Sequence, residues 1–75
     1  MVSRNEKIQK INEILENEEN AYLNSFVEAI RVKGKGNDWK CIRICNTLSQ
    51  LGLWHGKFHY DPIDDDYTIP LFLGE

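Results

Sequence analysis

The sequence predicts a single α+β domain over residues 1–75, in which three helices are followed by a C-terminal β-hairpin. Apolar residues recur at helical spacing through residues 4–16, 20–32 and 38–51. They alternate instead on either side of a turn-rich connector near residue 62. A chain of 75 residues cannot hold a TIM barrel or a doubly wound dinucleotide-binding fold, so those enzyme scaffolds are excluded. Three Phe, three Tyr and two Trp, with a net charge of only -3, supply enough apolar surface for a thin core.

Ser3-Arg4-Asn5-Glu6 fits a capping box, in which the hydroxyl and the carboxylate satisfy each other's free amides. Ile8, Ile11, Ile14 and Leu15 follow at helical spacing, so residues 4–16 read as an amphipathic helix. The polar cluster Asn17-Glu18-Glu19-Asn20 breaks the stripe. A second helix over 20–32 would bury Leu23, Phe26, Val27 and Ile30; a single bent helix through 4–32 is the alternative. Lys33-Gly34-Lys35-Gly36 ends it, each glycine costing about 1 kcal/mol against alanine in a helix.

Asn37 or Asp38 then caps a third helix over 38–51. At about 100 degrees per residue, Cys41, Ile44, Cys45, Leu48 and Leu51 share the core sector. Trp39, Arg43, Asn46 and Gln50 fall on the opposite sector, with Ile42 and Ser49 beside it. Gly52 supplies a left-handed stop and Leu53 packs back on the last turn. Phe58 and Tyr60 share one face of a strand, as do Tyr67, Ile69, Leu71 and Leu73, so residues 57–73 form the hairpin. Pro70 cannot donate to a ladder, which assigns the second strand to an edge or a bulge.

Charge is segregated along the chain. Residues 1–30 carry -3, residues 31–57 carry +5 and residues 58–75 carry -5. A basic middle between acidic ends fits either a polyanion contact or an ordinary solvated face.

Three helices before a hairpin, with the third closing in Thr47-Leu48-Ser49-Gln50-Leu51-Gly52-Leu53-Trp54, resemble the winged-helix form of the helix-turn-helix family. That resemblance implies a third helix in the major groove of duplex DNA and a wing against the backbone. It assigns Arg43, Asn46 and Gln50 to base edges, and Lys33, Lys35, Lys40 and Lys57 to phosphates. The expected function is then a small non-enzymatic DNA-binding regulator of transcription or an accessory factor. Two features depart from the pattern: the glycine- and lysine-rich loop, and the aspartates where a wing carries cations.

The second expectation is an acidic protein-binding inhibitor or adaptor acting on a larger complex. Trp39 and Ile42 would form its contact, and Asp64, Asp65 and Asp66 would stand in for phosphates. Cys41, Cys45, His55 and His59 have the residue order of a zinc site. Cysteines on the core stripe of a helix pack as small apolar groups, so no metal or other cofactor is expected. Asp61 with Asp64–Asp66 lacks the glycine and glutamate of a calcium loop and reads as a charged turn. No nucleophile or phosphate-loop motif points to an enzyme. The apolar runs fall far short of the roughly 20 residues that span a bilayer. With no apolar signal region near the start and two cysteines at helical spacing, a cytoplasmic protein is expected, and a homodimer through the first helix is open.

Overall fold

The computed structural model describes residues 3–74. Its elements run α1 (Arg4–Leu15), β1 (Ala21–Asn24), β2 (Ala29–Lys33), α2 (Asp38–Gln50), β3 (His59–Asp61) and β4 (Asp66–Pro70). The strands form one antiparallel sheet in the order β1-β2-β4-β3. The α+β class holds, but among the described residues there are two helices rather than three.

The expected helix over 20–32 is the β1–β2 hairpin. Leu23 lies opposite Ile30 and Ala21 opposite Val32, and the same row continues into Ile69 and Tyr67 of β4. Asn24 nucleates the turn: its Oδ1 accepts from the Phe26 amide at 3.1 Å, and Glu28 takes a left-handed backbone with φ 50°. Phe26 is consequently 99% exposed and Val27 is exposed as well, where a helix would have buried both.

Both helices cover one face of the sheet. Ile11 and Leu15 of α1 and Cys41, Ile44, Cys45 and Leu48 of α2 meet Ile30, Val32, Tyr67 and Ile69 in one cluster, closed by Leu53, Leu71 and Leu73. Strand alternation puts Tyr22, Arg31, Thr68 and His59 in a row on the opposite face.

The helix ends follow local chemistry. Ser3 Oγ accepts from the Glu6 amide at 3.3 Å, the forward half of the capping box. At α2 the expected side-chain cap is absent, because Asn37 turns back and donates to the Lys33 carbonyl at 2.7 Å. The α2 exit is a Schellman turn: Gly52 has φ 72°, and the Leu53 amide reaches the Leu48 carbonyl at 2.9 Å. Leu53 is buried as expected, whereas Leu51 faces solvent rather than the core.

Pro70 also corrects the edge assignment. β4 is an inner strand, with β2 on one side and β3 on the other. Its proline stands at the last position, where the missing amide is tolerated and the carbonyl accepts from Gly56 at 2.8 Å.

Candidate interaction surface

The outer face of α2 is built as its periodicity predicts. Trp39 and Ile42 are about half exposed, at 53% and 50%, and Arg43, Asn46 and Gln50 are exposed beside them. Arg43 is not free: one terminal nitrogen contacts both carboxylate oxygens of Glu18, from the α1–β1 connection. Its guanidinium carbon stands 5.0 Å from the Trp39 ring centroid, a stacking contact that holds the indole in place.

Lys40 departs most from its expected role. It is buried, its ammonium donates to the Glu19 carbonyl at 2.7 Å, and it lies 5.7 Å from the Trp39 ring centroid. Its stem fills space between α2 and the α1–β1 connection while the charge satisfies a backbone oxygen.

Lys33 and Lys35 are exposed, but the fold sets them against the acidic turn. Lys33 is in register with Asp66, and the amides of Gly34 and Lys35 reach the Asp65 carbonyl and carboxylate at 2.9 and 3.0 Å. One cation of the +5 segment, Arg31, is thus paired with the acidic turn, and the Lys33–Lys35 backbone runs beside it. Lys57 is exposed on the connection to β3.

The three aspartates expected to mimic phosphates differ in availability. Asp66 is only 3% exposed, with both oxygens on Arg31 Nη1 at 3.2 and 3.1 Å. Asp65 accepts the Tyr60 hydroxyl at 2.6 Å, which holds its carboxyl below the usual range and pushes the phenol up to about 12. Among the described residues, Asp64 is left as the uncommitted carboxylate of the three. Asp61, Asp64 and Asp66 do bring carboxylate oxygens within 4.8 Å of one another, but the Arg31 guanidinium already supplies the cation there.

The zinc grouping is not assembled. Among the described residues, the acidic trio is the one cluster of three or more His, Cys, Asp or Glu ligand atoms at metal-binding separation. Cys41 and Cys45 are buried free thiols. Burial, with Cys45 as the next cause, pushes Cys41 up to about 11, and burial also raises Cys45. His59 is exposed on β3.

His55 donates from Nδ1 to the Gly56 carbonyl at 3.0 Å, which leaves Nε2 to accept the Ser49 hydroxyl at 3.1 Å. This contact ties the last turn of α2 to the segment that follows it.

The sequence reading missed a second apolar surface, at the far end of β4. Trp54 and Phe72 are more than half exposed and, with Leu71, line an open cleft of about 450 Å³. The turn carrying Phe26 and Val27 runs alongside, tied by the Leu71 amide to the Glu28 carbonyl at 2.8 Å. The available signal was alternation past Pro70: if Leu71 and Leu73 face the core, Phe72 must face out.

Comparisons with known families, characterised proteins and solved structures give no match. The surfaces themselves must therefore carry the functional reading. Among the described residues no helix is long and apolar enough to cross a membrane.

Proposed function

We propose that this chain is a non-enzymatic protein-binding module, an adaptor or inhibitor, that engages a larger partner through the outer face of α2. The carrying observation is the preordered Trp39–Arg43–Glu18 stack with Ile42 beside it. Trp and Arg dominate the few residues that supply most binding energy, and side chains already held in place lose little freedom on contact. The internal commitment of two cations supports the same reading. Lys40 donates to the Glu19 carbonyl and Arg43 is paired with Glu18, so two of the side chains expected on a phosphate backbone or a base edge are already engaged within the fold. A reduced, cytoplasmic setting is part of this proposal and is supported by the two free thiols.

The test is affinity capture from the native host with wild type, Trp39→Ala and Ile42→Ser, each checked for folding by circular dichroism. A partner retained by wild type and lost with both folded variants is the expected result. Equal capture by all three overturns the assignment of this face.

A further inference from the structure

We propose that the chain self-associates head to tail, the β3–β4 turn of one copy seating in the Trp54–Leu71–Phe72 cleft of the next. This contact uses neither Trp39 nor Ile42, so it goes beyond the partner-binding face and stands or falls separately.

The projecting half is a rigid apolar tip ringed by acid. Ile63 is 91% exposed, between Pro62 and Asp64. Its amide donates to Asp61 Oδ1 at 2.9 Å, and the Tyr60–Asp65 contact at 2.6 Å closes the other side of the turn. Asp61, Asp64 and Asp65 thus surround an aliphatic side chain whose backbone is already ordered, so docking it costs little conformational freedom.

The receiving half has the opposite charge. Its cleft of about 450 Å³ has Trp54, Leu71 and Phe72 as walls, a size and apolar lining that suit side-chain burial. Lys7 stands over the Phe72 ring at 5.0 Å while bonded to the Gly74 carbonyl. Arg4 reaches the Ser25 carbonyl at 3.5 Å in the adjoining turn. Lys57 follows Gly56, where an added β-carbon would come within 3.2 Å of the Trp54 ring and of Pro70. Among the described residues, Glu28 at this end accepts from the Leu73 amide at 2.8 Å and is turned into the backbone. An apolar cleft with a lysine over one wall calls for an acidic, apolar ligand, and the turn at Ile63 is one.

A copy cannot fill its own cleft. The turn enters β4 at Asp66 and the cleft begins beyond Pro70, so the whole of β4, at roughly 3.3 Å per residue, separates the two. The two patches differ, which makes the contact heterologous: it propagates as a chain or closes as a ring, and it is not a two-fold dimer. A contact built around one turn is small, so weak, salt-sensitive association is expected.

Sedimentation velocity on the full chain, from about 10 μM to about 1 mM at low salt, tests this. Ile63→Ser removes the tip and Phe72→Ser opens the cleft, and both side chains are exposed enough for the fold to survive. Wild type should associate with concentration, and each variant should weaken that by about tenfold or more. An equimolar mixture of the two variants should form a 1:1 dimer and stop, because one intact tip and one intact cleft remain. Wild type that stays monomeric to about 1 mM overturns the proposal. So does association unaffected by Ile63→Ser, or a variant mixture that stays monomeric.

Discussion

Replacing Asp66 by alanine removes the carboxylate that the fold has buried most deeply. Asp66 is 3% exposed and both its oxygens meet Arg31 Nη1, whose own Nε is buried without a partner. Breaking a buried pair from one side costs about 3–5 kcal/mol, since the other charge is left unpaired. The Arg31 side chain keeps 25% of its exposure, so water can rehydrate part of it and the expected loss falls to about 2–3 kcal/mol. In a domain of this size, that corresponds to a fall in melting temperature on the order of 10 °C or more. Glu18→Gln gives the contrast, because its partner Arg43 is 52% exposed and the pair should be worth no more than about 1 kcal/mol. Urea unfolding with a common m-value measures both. The double variant Arg31→Met/Asp66→Leu should recover most of the loss, since an apolar pair of similar size needs no compensation. Equal effects of Asp66→Ala and Glu18→Gln, or a loss below about 0.5 kcal/mol for Asp66→Ala, would refute the assigned burial of this pair.

Phe26 and Ile30 share a face in a helix but part company in the β1–β2 hairpin. Phe26→Ser should therefore change stability by no more than about 0.5 kcal/mol, and Ile30→Ala should cost about 2–5 kcal/mol in the same unfolding assay. Comparable losses at both positions would return the helix. Tyr60, held protonated by Asp65, should titrate near 12 at 295 nm in wild type. A tyrosine raised in the folded state lends stability that is complete below pH 10 and lost as pH rises through about 12, and Tyr60→Phe should abolish that decline. If Tyr60 titrates near 10, the Tyr60–Asp65 bond is absent. Raising Cys41 from 9.0 to about 11 lowers its thiolate fraction at neutral pH about a hundredfold. Aromatic disulfide reagents should thus label the native thiols at least that much more slowly than the urea-unfolded chain, and fast native labelling would contradict their burial.

Legibility in the sequence followed the strength of each periodic signal. α1 and α2 were readable because each carries a long apolar stripe, opened by the Ser3 cap in α1 and closed by Gly52 in α2, and the strands after residue 57 because aromatic alternation flanked a proline–aspartate turn. Residues 21–33 were ambiguous, since Leu23, Phe26, Val27 and Ile30 fit a 3.6 period while Leu23, Ile30 and Val32 fit strands around a turn. The Asn24-Ser25 pair was the deciding local signal, and tertiary pairing of β2 with β4 made it win. The outward face of α2 was legible for the same helical reason. What the sequence could not convey was which charges meet: Arg31 finds Asp66 across 35 positions and Arg43 finds Glu18 across 25. Only the strand order brings the basic β2 end and the acidic β3–β4 turn side by side.

Fluorescence anisotropy of a labelled mixed-sequence duplex, titrated at about 50 and about 200 mM salt, tests the internal commitment of Lys40 and Arg43 most directly. A fold that has committed Lys40 and Arg43 to its own backbone and carboxylates predicts no saturable binding below about 100 μM at either salt concentration. Micromolar binding that weakens steeply with salt would contradict it and return the outer face of α2 to duplex DNA.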